Sequence, residues 1–295
     1  MSEKTCIYYI TFRCNDSCEY CQIWDNKEYK DVVEAPLEKH LNNIQAARRN
    51  NAKTLEIIGG EPLLYSELPK ILEKARRFDF KINLTTNGIL YKERARELRG
   101  LVDNLFFLID YPIQDEHDRS RGISCYNEAI EGIKLAKEMS QSPAIRFNIT
   151  RDSIRFLPEM DDLARSLKVK VHIHQVTDFH GMKGLNPMTI DHVKYFFKKP
   201  NMMINLAEFE FLKNNGNNIL FPRCKADITT ITYLPDGEQV SPCFYNKGGR
   251  VGRENICYGC VRHEYMLPSF TLGIDRYRVL DWYSNWLNNR KEKKI

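Results

Sequence analysis

Between Cys6 and Gln175 the chain repeats one pattern: a short run of β-branched and aromatic residues, an amphipathic helical stretch, then another run. The runs are Cys6–Phe12, Leu55–Ile58, Lys81–Thr85, Leu105–Asp110, Ala144–Ile149 and Lys170–Gln175. Helical stretches are predicted between them over Leu37–Arg49, Leu68–Phe78, Lys92–Leu98, Asn127–Met139 and Leu157–Leu167, with another after Thr189. Strands joined through helices cannot pair as hairpins, so the alternation predicts a parallel sheet in an α/β fold, doubly wound or a barrel. Residues with chemistry to offer fall just after the C-terminal ends of the first four strands, where barrels build their sites.

The first such segment is Arg13-Cys14-Asn15-Asp16-Ser17-Cys18-Glu19-Tyr20-Cys21, with the spacing CxxxCxxC. A zinc ion wants four donors and usually draws them from CxxC pairs, whereas three thiolates in one loop suit a cubane iron–sulfur cluster with one iron left open. A structural zinc knuckle or three unpaired thiols are the plainer readings. With Tyr20 just before the third cysteine, the segment resembles the signature of the radical S-adenosylmethionine (SAM) enzymes. That resemblance implies a [4Fe–4S] cluster on Cys14, Cys18 and Cys21, SAM on its open iron, and reductive cleavage to a 5′-deoxyadenosyl radical. It also implies a partial, six-stranded (β/α)6 TIM-like barrel.

Gly59-Gly60-Glu61-Pro62 closes the second strand. Paired glycines let backbone approach a ligand, and the carboxylate can accept from an ammonium; in the family this segment contacts the SAM amino group. Thr85-Thr86-Asn87-Gly88 follows the third strand and reads either as a polar turn or, by the resemblance, as a contact of Thr86 and Asn87 with SAM. After the fourth strand, Asp110-Tyr111-Pro112 through His117-Asp118-Arg119-Ser120-Arg121-Gly122 resembles the branch of sulfatase-maturating enzymes and peptide maturases. There the matching arginine, Arg121, holds the SAM carboxylate; the serine that assists it is replaced by Leu108. Asn148 and Arg151 end the fifth strand as SAM contacts or loop caps, and Val176 stands where the family's backbone meets adenine. His172 and His174 share a strand face but lack an evident third donor for a metal.

From about Asn215 the alternation stops. Ile228–Tyr233, a Pro235-Asp236-Gly237 turn and Gln239–Ser241 predict a hairpin framed by Cys224, Cys243, Cys257 and Cys260. Four thiolates suit zinc or an auxiliary cubane. The arrangement resembles the reduced SPASM domain called twitch, which implies one auxiliary [4Fe–4S] cluster, although five residues separate Gly237 from Cys243 where that pattern has four. The expected domains are a radical SAM core over 1–214 and a twitch-like domain over 215–295. Cys6 and Cys125 read as ordinary buried or surface thiols.

Nine cysteines in an intracellular-looking chain point to metal rather than disulfides. The start Met-Ser-Glu-Lys-Thr has no apolar signal, no run approaches a membrane span, and a cytoplasmic protein without a membrane partner is expected. A net charge of +5 is mild, and Arg290-Lys291-Glu292-Lys293-Lys294 reads as a solvated helix end, so nucleic acid is not an expected partner. The resemblance implies reduced flavodoxin or ferredoxin as electron donor. Its expected reaction is two-electron oxidation or related modification of a small metabolite or short peptide segment, with radical maturation of a peptide or protein side chain as the alternative. The contrasting class is a non-enzymatic zinc-binding interaction protein. No catalytic acid or base stands out.

Overall fold

A computed structural model describes residues 3–21, 23–176, 185, 187–246 and 257–292. All six expected strands form: β1 (Lys4–Tyr9), β2 (Ala52–Ile58), β3 (Lys81–Thr86), β4 (Asn104–Leu108), β5 (Pro143–Ile149) and β6 (Lys170–Gln175). A short seventh, β7 (Met202–Ile204), extends the same series. Each pairs in parallel with the next, so spatial order follows chain order, and the helices return across one face.

Register explains the two faces. Tyr8 stands opposite Ile57, Ile57 opposite Leu84, Leu84 opposite Leu105, Phe107 opposite Ile145 and Ile145 opposite Val171. These side chains are fully or almost fully buried beneath the helices, each contributing about 1.5–3 kcal/mol of burial. The alternate positions line the concave face and mix polar with apolar side chains; among the polar ones Asn83 donates to Glu56, and Asn104 Nδ2 to Asn83 Oδ1 (2.7 Å). Helix Leu37–Arg49 shows how the outer layer is specified, since Leu37, His40, Leu41, Ile44 and Ala47 recur at helical spacing after Pro36 and face the sheet.

The C-terminal residues complete this sheet at its other end. β8 (Thr230–Tyr233) pairs in parallel with β1, and β9 (Gln239–Val240) pairs antiparallel with β8. The turn between them docks on helix Leu37–Arg49, where Asn43 Nδ2 donates to Gly237 O (2.8 Å) and Lys39 Nζ to Glu238 Oε1 (2.6 Å). Ile228 and Thr229, expected in the hairpin, instead belong to the helical turn Ala226–Thr229. Thr229 Oγ1 donates to Lys225 O (2.8 Å) and Thr230 Oγ1 to Ala226 O (2.7 Å), so the hydroxyls of a β-rich run satisfy a turn.

Helices Leu206–Lys213 and Arg276–Glu292 pack beside β7. Lys291, expected in a solvated tail, is buried and donates to Phe197 O (2.6 Å) and Met202 O (2.7 Å), with burial lowering its pKa to about 8. Lys293 and Lys294 lie outside the described residues.

Candidate active site

After β1 the chain runs beside the end of β2. Gly60 N donates to Thr11 O and Glu61 N to Arg13 O, both at 2.8 Å. A Cβ on Gly59 would come 2.2 Å from Thr11 O, and one on Gly60 2.1 Å from Arg13 O; Gly59 also has φ of +148°. These glycines are thus required by the seat of the cysteine loop itself, in addition to bordering the cavity.

The other side of that loop rests on the end of helix Gln114–Arg121. Ser17 N donates to Arg121 O (3.0 Å) and Glu19 N to Ser120 O (3.1 Å), satisfying carbonyls a helix terminus leaves open. Gly122 ends the helix at φ +67°, where a Cβ would lie 2.2 Å from Ser17 Oγ. Arg121 is buried: Nη2 donates to Asp16 Oδ2, and Nη1 to Asp110 Oδ2 (3.4 Å) and Tyr20 Oη (3.2 Å). Tyr20 Oη in turn donates to Asp110 Oδ1 (2.8 Å). Arg121, expected to clamp a ligand carboxylate, therefore already clamps the cysteine loop to the end of β4.

One cavity at the strand ends is lined by Cys14, Cys18, Cys21, Tyr20, Gly59, Gly60, Glu61, Asn87, Arg121, Asn148 and Val176. Burial pushes the Cys14 thiol up to about 12 and raises those of Cys18 and Cys21. Pro62 and Thr86 stand behind this wall. Thr86 Oγ1 and Leu63 N donate to Glu61 Oε1 (2.8 and 2.9 Å), and Asn87 N donates to Oε2 (2.7 Å). Burial still raises Glu61 to about 7. Arg151 is exposed and off the wall. Gln175, Tyr245, Arg146, His263 and Glu264 also line it without having been singled out in the sequence. Arg146 was legible in principle, lying two residues before Asn148 on the same strand face.

Cys224, Cys243, Cys257 and Cys260 come together around a second, small cavity. Asn217 is the organiser: its Oδ1 accepts from Cys224 N (3.0 Å), its N donates to Cys260 O (3.0 Å), and its O accepts from Gly259 N (2.8 Å). Asn246 Nδ2 donates to Cys257 Sγ (3.2 Å) and Arg262 Nη1 to Cys260 Sγ (3.6 Å), donors of the kind that stabilise negative sulfur. Tyr245 borders both cavities.

Two further clusters have structural explanations. Asp118 Oδ1 accepts from Cys125 N and Tyr126 N (both 2.9 Å) and caps helix Tyr126–Glu138, while His117 Nδ1 accepts from Asp110 N (3.1 Å). His174 clusters without His172, the other member of the expected pair: its Nδ1 lies 2.9 Å from Glu208 Oε2, and the His263 ring stacks on it at 4.2 Å and 8°. Imidazoles stacked face to face cannot both hold one ion in their ring planes at about 2.0–2.1 Å, so the trio is a polar cluster rather than a metal centre as it stands.

Residues 8–151 match the sequence family described as the Radical SAM superfamily. A probable GTP 3′,8-cyclase of Sulfolobus acidocaldarius is 28% identical over 258 residues, covering 80% of this chain and 79% of that protein. An S-adenosylmethionine-dependent nucleotide dehydratase of Fibrobacter sp. is 26% identical over 325 residues, covering 99% of this chain and 90% of that protein. In fold the chain is similar to Streptococcus suis SuiB bound to S-adenosylmethionine, with a TM-score of 0.69 at 16% identity, covering 84% of this chain and 61% of SuiB. It is also similar to anSMEcpe with bound AdoMet, with a TM-score of 0.62 at 14% identity, covering 82% of this chain and 74% of that one.

Proposed function

From the premise that this chain carries a radical SAM domain, we propose that Cys14, Cys18 and Cys21 hold its [4Fe–4S] cluster and that SAM and a small polar substrate share the adjoining cavity. When bound, the cluster and SAM supply a 5′-deoxyadenosyl radical able to take hydrogen from the substrate. The carrying observation is that the three thiols and Glu61, from two separate loops, border one cavity at the strand ends.

The chain's own residues account for the rest. Burial keeps the three thiols protonated, so each ligand releases a proton as it binds metal. Arg121 fixes the loop by holding Asp16 against Asp110. Glu61 Oε2 accepts one internal hydrogen bond and keeps a lone pair for the SAM ammonium; that positive charge favours the ionised carboxyl that burial opposes. Asn87, Asn148 and Val176 complete the SAM side.

The near full-length likeness to a nucleotide dehydratase favours a nucleotide-like metabolite over a peptide. Cys224, Cys243, Cys257 and Cys260 are proposed to carry an auxiliary [4Fe–4S] cluster, with Tyr245 between them and the substrate cavity. An electron leaving the substrate radical in that direction would make the overall reaction a two-electron oxidation.

The test is anaerobic reconstitution with iron and sulfide, then dithionite and SAM. The wild-type protein should form 5′-deoxyadenosine, and Cys14→Ala/Cys18→Ala/Cys21→Ala should form none. Product from the triple variant, or a colourless wild type holding only zinc, would overturn the proposal.

A further inference from the structure

On the concave face of β5, one strand position deeper than Asn148, lies Arg146, opposite Leu108 on one side and His172 on the other. Its guanidinium lies 4.4 Å over the ring of Phe106, whose other neighbour is the edge of the His172 ring at 4.8 Å. Arg146 Nε is shut off from solvent without a hydrogen-bond partner, and the guanidinium makes no ion pair among the described residues. The cations buried as whole residues are all partnered: Arg121 meets two carboxylates, Lys170 meets Pro200 O (2.9 Å), and Lys291 meets two carbonyls.

A half-buried cation with no ion pair is costly, and desolvation here lowers the pKa of Arg146 even though Glu56, Glu264 and Glu208 are near enough to oppose the shift. Stacking on Phe106 occupies the guanidinium face and leaves its N–H edge, the part suited to two anionic oxygens at once. Arg146 borders the same cavity as the cysteine triad. Across the wall, His263 Nδ1 and Glu264 Oε2 face each other at 3.8 Å, both buried and neither in a hydrogen bond, so the region has room for a ligand that carries a donor as well.

We propose that Arg146 anchors the substrate through an anionic group, a carboxylate or a phosphate, received on the open edge of its guanidinium. The word substrate rests on the hydrogen-abstracting reading above; the anion site itself does not.

The experiment uses reconstituted, SAM-loaded protein. Unfolding midpoints are compared in sodium phosphate, sodium acetate and sodium chloride of equal ionic strength, for wild type, Arg146→Met and Arg146→Lys. At tenfold excess over its dissociation constant, one of the two oxyanions should raise the wild-type midpoint by about 2–4 °C over chloride. Phosphate acting alone identifies a phosphorylated substrate, and acetate acting alone a carboxylate. Arg146→Met should lose that response while melting higher than wild type in chloride, since it removes an unpaired charge. Arg146→Lys should keep part of the response.

Equal responses in wild type and both variants overturn the site. So does a lower midpoint for Arg146→Met with no oxyanion effect in wild type, which would make Arg146 structural. A tenfold loss of SAM affinity in Arg146→Met would assign the residue to SAM instead. Formation of 5′-deoxyadenosine is followed in the same samples: its absence with the oxyanion response intact sinks the catalytic reading alone, and the reverse result sinks the anion site alone.

Discussion

The Arg121 guanidinium is shared between Asp16 of the cysteine loop and Asp110 at the end of β4, both buried. Removing it strands two carboxylates in a region of low dielectric, a change that typically costs about 3–5 kcal/mol. We expect Arg121→Ala to lower the urea midpoint of the SAM-free protein accordingly, and Arg121→Lys to lower it less. Full stability in Arg121→Ala, with only SAM affinity lost, would sink this role. The contrast with Arg146 shows what single residues reveal in a sequence. That Cys14, Cys18 and Cys21 border one cavity was legible because one short loop carries all three thiols, and Glu61 because two glycines flag it. Asp16 was not, since its partner lies 105 positions away. Arg146 shares a strand face with Asn148, but a charged residue at an alternate strand position usually faces water, and only sheet curvature turns that face inward.

At the scale of elements, strands and helices of the βα series were written in hydrophobic period, and their ends fall close to expectation. What local pattern could not show was how two distant segments meet. β7 is only three residues long, too short for a period to register, and Thr229 belongs to a helical turn despite its β propensity. The same holds for the cysteines after residue 215, which converge only because Asn217 ties the segment before Cys224 to the turn at Gly259. If these four ligate a cubane, the wild-type protein should hold roughly eight irons, and Cys257→Ala/Cys260→Ala about four. That variant should still form 5′-deoxyadenosine, because its other cysteines are untouched, but should fail to turn over substrate. About four irons with one zinc in the wild type would remove the electron-acceptor role.

For the whole molecule, five of the seven histidines, His40, His117, His172, His174 and His263, have pKa values lowered chiefly by burial. The unfolded chain binds protons near 6.5 that the folded chain refuses, so these groups contribute stability that is lost as pH falls below about 6.5. Glu61 and Glu208, raised to about 7, act in the opposite sense between 4.5 and 7. The histidines outnumber them, so unfolding should take up roughly three protons at most near pH 5.5. The urea midpoint should fall steadily from pH 7.5 to 5; a flat or rising midpoint would contradict the balance. Pairing of Cys6 with Ile231 also has a consequence for how the protein is made. Until residues 230–233 have left the ribosome, β1 keeps one open edge beside the loop of the three cysteines. Any nascent chain stalled before that point presents a free strand to its neighbours, so synthesis that pauses late carries the greater risk of aggregation, and quick completion of the C-terminal segment protects the cysteine loop.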